Sequence, residues 1–138
     1  MAALPRKTSP IQALGEGQVD MYLDFPPNGS SDPESFNGDP FITGIVHSAT
    51  GKYTVTIDAG FRPKAFIGMA SFSVEDNANP GLCDLSAVTA SITAGSATTI
   101  LIWTRRAGVA VDIAANAASI VKCQLRFKTY PKTDTTGL

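Results

Sequence analysis

This chain contains little of what most enzymes and metal-binding proteins use. Its 138 residues include one histidine, two cysteines and one tryptophan, and only 17% of them are charged. One histidine excludes zinc sites built on histidine pairs and leaves His47 as the single candidate for Ser-His-Asp or Cys-His chemistry. Because a lone histidine at the end of a strand is more often a hydrogen-bonded surface residue than a catalyst, we do not assign it a catalytic role.

Charge of one sign and long apolar runs are also absent. The formal net charge is −1, so the chain has no electrostatic footprint for nucleic acid or for an anionic membrane. No apolar run approaches the roughly 20 residues that a membrane-spanning helix needs. The N-terminus, MAALPRKTSP, has no apolar segment behind its basic residues, so we expect no signal peptide and synthesis in a cytoplasm. Neither a nucleic-acid partner nor a membrane partner is predicted.

The two cysteines and the acidic loops define no convincing metal site. Cys83 lies in a loop and Cys123 on the apolar side of a predicted strand, so we predict two free thiols. Oxygen-rich stretches at 28–39 and 75–84 could hold calcium, but they lack EF-hand spacing and also have ordinary turn composition. No spacing selects a pair of carboxylates for glycoside hydrolysis. We therefore predict no metal, no cofactor and no enzymatic activity.

Short alternating strands are what the sequence does contain. In HSATGKYTVTIDAG (47–60), Tyr53, Val55 and Ile57 alternate with polar residues, which predicts a strand with one dry face. Similar segments at 41–47, 52–58, 64–75, 86–93, 98–104 and 119–129 are separated by turn residues. This spacing is typical of a sandwich or barrel and predicts an all-β fold. Only the Ala-rich segment 107–119 could form a helical turn.

The first 40 residues differ from the rest of the chain. They hold six of the nine prolines, and one alternating stretch, 19–25, interrupts their turn-like sequence. We interpret them as an extended arm that contains a single strand and is either disordered or packed on a neighbouring subunit. The predicted domains are an arm over 1–40, a β-sandwich over 41–130 and a flexible tail over 131–138.

Two predicted strands have apolar residues on both faces, whereas antiparallel strands of a two-layer sandwich usually have one wet face. The second face is either covered within the domain or packed on another subunit, and the low charge favours the subunit contact slightly. In the strand at 64–75, one face has Phe66, Ala70, Phe72 and Val74, and the other has Ala65, Ile67 and Met69. In the strand at 98–104, one face has Ile100 and Ile102, and the other has Leu101 and Trp103.

The last predicted strand, 119–129, is different, since it has an apolar face on one side and a basic, solvated stripe on the other.

A resemblance to a known protein family is found in two segments, SATGKYTVTIDAGFRPKAFIGMASFSVED and TTILIWTRRAGVAVDIAANAASIVKCQLRF. A Gly-x-Tyr-Thr-Val-Thr strand, a strand ending in Ser-Val, an R-x-A-G-x-x-x-D loop and an alternating last strand resemble the β-sandwich head decoration, or cement, proteins of tailed bacteriophages. The resemblance covers about residues 41–129. It implies a jelly-roll-like antiparallel β-sandwich with an extended N-terminal arm. Such proteins are commonly homotrimers, assembled in the host cytoplasm, that bind the major capsid protein on the outer surface of the virion and stabilise the shell.

A similar sandwich occurs in phage tail and head fibres, where loops bind receptors or glycans. In that alternative, the loops 76–85 and 105–117 are the expected binding elements. For the decoration role, segment 10–25 is expected to contact a neighbouring subunit or the capsid, and the outward face of the strand at 98–104 is expected to contact another subunit. The candidate contact residues are Arg6, Lys7, Met21, Leu23, Phe25, Leu101 and Trp103.

Overall fold

The protein is all-β in a computed structural model that describes residues 17–77 and 83–129. Two antiparallel sheets pack together as a β-sandwich, as predicted, and the described residues include no helix. Arg6, Lys7, the first part (10–16) of the predicted contact segment 10–25, and the tail 131–138 lie outside the described residues. The strands are β1 (Gln18–Phe25), β2 (Asn37–Gly38), β3 (Ile42–Ala49), β4 (Lys52–Ile57), β5 (Pro63–Glu75), β6 (Asp84–Ser91), β7 (Thr98–Arg106), β8 (Val109–Ala110) and β9 (Ile120–Thr129).

The two sheets have different strand orders. One has four strands in the order β2-β1-β9-β5, and the other has the order β3-β4-β7-β6 with the short β8 also paired to β7. Arg105 of β7 pairs with β6 on one side and with β8 on the other. Since β4 also pairs with β7 on the side opposite β6, β8 lies on the same side of β7 as β4, beyond the end of β4. Each strand predicted from Phe41 onward is present, with ends that differ by at most about two residues, which is the usual uncertainty of such boundaries.

The strand predicted within the arm is present but belongs to the sandwich. All of β1 pairs with β9, from Gln18 opposite Lys128 to Phe25 opposite Val121. The boundary at residue 40 is therefore wrong, since it would divide the four-stranded sheet. Met21, Leu23 and Phe25 are at most 1% exposed within the protein's own core. Their assignment to contacts with a neighbour is wrong as well, because the second sheet of the same chain covers this apolar face.

The core forms where the alternating residues of both sheets meet. Val55, Ile57, Ile100 and Ile102 of the five-stranded sheet are fully buried, and Leu125 faces them from β9. Fully burying a side chain of this size contributes about 1.5–3 kcal/mol. Aromatic rings extend the core, with centroid distances of 4.9 Å for Phe25 and Tyr53, 5.1 Å for Phe61 and Phe127, and 5.2 Å for Phe66 and Phe127.

The segment 107–119 contains no helix, and near its end one hydrogen-bonded turn is closed by the Ser119 N–H, which donates to the Asn116 carbonyl oxygen at 3.0 Å. Ala107 and Gly108 join β7 to β8 with φ angles of 52° and 80°. Two consecutive positive φ angles in a two-residue loop are the geometry of a type I′ hairpin, which matches the twist of the flanking strands. Ala107 takes the place that Asn or Asp usually occupies in such a turn. The sequence therefore lacks the usual hairpin signal here.

The faces of β5 differ from the predicted ones. Register shifts between Phe66 and Gly68 and between Met69 and Ser71 interrupt its pairing with β9. Each such bulge changes the phase of the alternation, so Met69 packs against the core on the side of Phe66 and Val74. β5 is an edge strand, and two of its large apolar side chains, Ile67 and Phe72, are 50% and 47% exposed.

Candidate interaction surfaces

An apolar row crosses the outer face of the five-stranded sheet from edge to edge. Val46 of β3, Thr54 of β4, Leu101 of β7 and Val88 of β6 are successive cross-strand partners. We call these four residues the apolar row. Their side chains point away from the core, because the residues that alternate with them, such as Val55 and Ile102, are fully buried. Val46 and Val88, at the two ends, are 46% and 51% exposed.

Trp103 flanks the apolar row under two cations. It lies opposite Lys52 and Ser86 in the sheet. Lys52 Nζ is 5.2 Å and Arg105 Cζ is 5.4 Å from the centroid of the indole ring. Arg105 also donates a hydrogen bond of 2.9 Å from Nη1 to Ser86 Oγ. Cation–π contacts of this kind hold the ring in place, so Trp103 forms a rigid border of the row.

The outward placement of Leu101 and Trp103 agrees with the sequence analysis, but Val46 and Val88 were missed. Val46 follows Ile45 directly and Val88 lies among small polar residues, so neither stands out as part of an apolar face. Only the register of the sheet shows that these residues line up with Leu101.

The outer face of the four-stranded sheet is polar. Arg126 donates two hydrogen bonds to the Asp20 carboxylate, at 2.8 Å from Nε and 3.0 Å from Nη2. This contact raises the pKa of Arg126 above its ordinary value, chiefly through the hydrogen bond. Tyr22 donates to Asp24 on the same strand, and Lys122, Gln124 and Lys128 are exposed. The predicted solvated stripe of the last strand is confirmed.

His47 is a hydrogen-bonded structural residue. Its Nε2 is 2.7 Å from Asp112 Oδ1, and the same oxygen accepts a 2.7 Å hydrogen bond from the backbone N–H of Gly51. The His47 backbone N–H donates to Asp32 Oδ1 at 2.8 Å. These contacts join the β3–β4 turn to the loops around Asp32 and Asp112. This agrees with the interpretation of His47 as a hydrogen-bonded residue.

Tyr53 lies beside this cluster. Its ring meets the His47 ring edge-on, with centroids 5.6 Å apart. The Tyr53 hydroxyl is buried and has no hydrogen-bond partner in the described part of the chain. Burial, with a smaller contribution from the charge of Asp112, raises the pKa of Tyr53 to about 12. The hydroxyl therefore stays protonated at neutral pH.

Both cysteines are free thiols, as predicted. Cys123 lies in the core, where burial, with a smaller effect of Asp24, raises the pKa of its thiol to about 12. Cys83 is half-buried, with Sγ 3.1 Å from Arg106 Nη2. The same Nη2 atom forms a 2.6 Å ion pair with Asp76. Asp76 is thereby engaged by a cation, which makes this loop a poor site for calcium.

The described residues form neither a metal-binding cluster nor a membrane-spanning helix. Across 17–77 and 83–129, no three side chains among His, Cys, Asp and Glu converge closely enough to hold a metal ion. Nor do these residues contain a helix with the length and apolar character required to cross a membrane.

Comparisons with known proteins add no relative. No protein-family model, no curated protein and no solved structure matches this chain.

Proposed function

We propose that this chain is a structural protein that assembles with copies of itself through the apolar row and acts as a capsid decoration, or cement, protein of a tailed bacteriophage. The observation that carries the assembly step is the alignment of exposed Val46 and Val88 with Leu101 in one uncharged row across the outer face of the five-stranded sheet. The resemblance described above supports the capsid role, which follows as a further proposal.

The apolar row is better suited to a covered surface than to open water. Antiparallel sandwiches usually expose a polar outer face, and the four-stranded sheet does so with Asp20, Arg126 and its lysines. The five-stranded sheet instead presents Val46, Leu101 and Val88 without a charge among them. Depletion of charge at the centre of an apolar patch is characteristic of protein interfaces.

A second copy of this chain is the occupant that the surface favours. A closed three-fold ring requires two different surfaces on each copy, because its contacts are head-to-tail. The apolar row supplies one, and the edge of β5 supplies another, since Ile67 and Phe72 are about half exposed. The stretch 65–74 of this edge carries no charge. Edge strands of isolated domains are usually protected by charge, so an uncharged edge is consistent with a covered one.

The test combines solution mass with capsid binding. The full chain and a version that starts at Gly17 are compared by size-exclusion chromatography with light scattering and by co-sedimentation with empty expanded capsids. We expect a trimer for both versions, with a mass of three times 14.4 kDa for the full chain, and lattice-stoichiometric co-sedimentation of the full chain. A monomer in both cases contradicts the self-association. A trimer that binds no capsid contradicts the cement role alone.

Receptor or glycan binding is the second candidate, and one contact favours it. The Arg106–Asp76 ion pair and the Arg106–Cys83 contact join the two loop regions, 76–85 and 105–117, that this function would use. Loops carried on a sheet scaffold are frequent binding elements. Saturable binding to a glycan array, with no binding to capsids, would favour this candidate over the first.

A further inference from the structure

The dipeptide Asn-Gly occurs twice in the sequence, at 28–29 and at 37–38. Glycine leaves the backbone nitrogen that follows an asparagine unhindered, because it has no Cβ. That nitrogen can attack the side-chain carbonyl carbon of the asparagine and displace ammonia, which is a spontaneous covalent change of the protein. The two Asn-Gly pairs are matched in sequence, so a difference in their reactivity must come from the fold.

The first pair is held by hydrogen bonds at both reacting positions. The Gly29 N–H donates a 2.8 Å hydrogen bond to the Ile113 carbonyl oxygen. Asn28 Nδ2 donates a 3.0 Å hydrogen bond to the Asp32 carbonyl oxygen. Both residues of the pair are half-buried. For the Gly29 nitrogen to reach the Asn28 side chain, these two hydrogen bonds must break, which protects the pair.

The second pair forms β2, a two-residue strand at the edge of the four-stranded sheet, and both of its residues are exposed. The Asp39 N–H donates to the Tyr22 carbonyl oxygen at 3.0 Å, and Gly38 lies opposite Leu23. Because hydrogen-bonded and non-hydrogen-bonded pairs alternate in an antiparallel ladder, the Gly38 N–H points away from β1. The pairing of β2 with β1 therefore does not hold the Gly38 nitrogen.

The Asn37 side chain is held by a long hydrogen bond. Its Nδ2 donates to Asp24 Oδ1 at 3.3 Å, compared with roughly 2.9–3.0 Å for a typical N–H···O bond. Glycine is required at position 38, because a Cβ there would lie 2.8 Å from the Tyr22 carbonyl oxygen. The packing beside β1 therefore keeps the least hindered residue directly after Asn37. A short edge strand also opens locally with little cost.

We propose that Asn37 is a site of spontaneous deamidation and that this change weakens the contact of β2 with β1. The Gly38 nitrogen attacks Asn37 Cγ, so that a new N–Cγ bond forms and the Cγ–Nδ2 bond breaks. Ammonia leaves with the proton of the Gly38 nitrogen. Water then opens the cyclic imide, at Cγ to give aspartate or at the backbone carbonyl carbon to give isoaspartate. The site lies outside the apolar row, so this proposal does not depend on the proposed function.

The product places a second carboxylate beside Asp24. Asp24 is 9% exposed and already accepts a hydrogen bond from the Tyr22 hydroxyl. Deamidation removes the Asn37 donor, and two neighbouring carboxylates repel each other. Isoaspartate also lengthens the backbone by one carbon atom, which disturbs the pairing of so short a strand. Both products therefore weaken the attachment of β2 to the sheet.

Peptide mass spectrometry of the full chain, incubated in its folded state at mildly alkaline pH, measures both sites in one sample. Digestion after glutamate separates them, because Glu34 lies between the two pairs. We expect Asn37 to deamidate about tenfold faster than Asn28, since breaking additional hydrogen bonds costs a factor of this order. In urea, where the chain is unfolded, the two rates should be similar. Equal rates in the folded chain, or a faster reaction at Asn28, would overturn the proposal.

Three variants test the site and its consequence. Asn37→Gln should abolish the fast release of ammonia and leave the rate at Asn28 unchanged, because the longer side chain would have to close a larger ring; fast release from this variant would contradict the site. Asn37→Asp and Asn37→Ala both lose the amide donor, but only the first adds charge. Hydrogen exchange at the Asp39 N–H should be faster in Asn37→Asp than in Asn37→Ala. Equal exchange in the two variants would overturn the weakening of β2.

Discussion

Placing charge on the two ends of the apolar row should disrupt self-association. Val46 and Val88 are each about half exposed, and full burial of a valine contributes about 1.5–3 kcal/mol. Covering the exposed half of each side chain therefore stabilises an assembly by ~1 kcal/mol. The double variant Val46→Lys/Val88→Lys removes ~2 kcal/mol per contact, which is roughly a 30-fold increase in the dissociation constant.

Val109→Lys is the matched control, because Val109 is 64% exposed but lies on β8, outside the apolar row. Sedimentation velocity over a dilution series measures the dissociation constant of each variant. We expect the double variant to dissociate at higher concentration than the parent chain, and the control to behave like the parent. Urea unfolding of all three proteins checks that the fold is retained.

An unchanged dissociation constant for the double variant would refute the assignment of the apolar row to an interface. Equal weakening by the double variant and by Val109→Lys would show a general effect of added positive charge. In either case the exposed, uncharged apolar row would require another explanation.

Four further predictions concern the core and the loops. Tyr53→Phe should raise the free energy of unfolding by ~1 kcal/mol, since the hydroxyl is buried without a partner, as measured by urea titration at pH 7. The folded-state pKa values of Tyr53 and Cys123 are raised to about 12 from ordinary values of 10.0 and 9.0. The stability that these two protonated groups contribute is therefore complete below pH 9 and is lost as the pH rises from 9 to 12. The free energy of unfolding should fall by ~1.4 kcal/mol per pH unit for each titrating group, as measured by unfolding at stepped pH. A thiol reagent should label half-buried Cys83 well before Cys123, as followed by mass spectrometry. Asp112→Ala should cost about 2–3 kcal/mol, because the Gly51 N–H and the His47 ring lose a charged acceptor, as a urea midpoint shift will show.

Each of these predictions has an opposite result that would contradict it. Destabilisation by Tyr53→Phe would mean that the hydroxyl has a partner. A flat alkaline stability profile would mean that both groups titrate normally in the folded protein. Equal labelling of the two cysteines would place Cys123 outside the core. A neutral Asp112→Ala variant would show that the β3–β4 turn holds its shape without that carboxylate.

Local alternation was sufficient to locate the strands, because one dry face leaves a period of two in the sequence. It could not assign β1 to the sandwich. The pattern of Met21, Leu23 and Phe25 shows that one face is covered but carries no information about which sheet covers it. The phase of β5 was mispredicted for a related reason, since two bulges alter the alternation without a clear sequence signal.

The candidate surfaces were predictable only in part. Leu101 and Trp103 stand out because both faces of β7 carry apolar residues, so the outward pair is visible in the sequence. Val46 and Val88 join them only through cross-strand register, which is a long-range property.

The pairing of β1 with β9 has a consequence for how the protein folds. These strands come from opposite ends of the described chain and pair along the whole length of β1 in the middle of the four-stranded sheet. Contacts between such distant segments slow folding, because a long loop must close before they form. During synthesis the apolar face of β1 stays uncovered on this side until β9 has left the ribosome. The four-stranded sheet therefore forms only after the whole segment from β1 to β9 has been made.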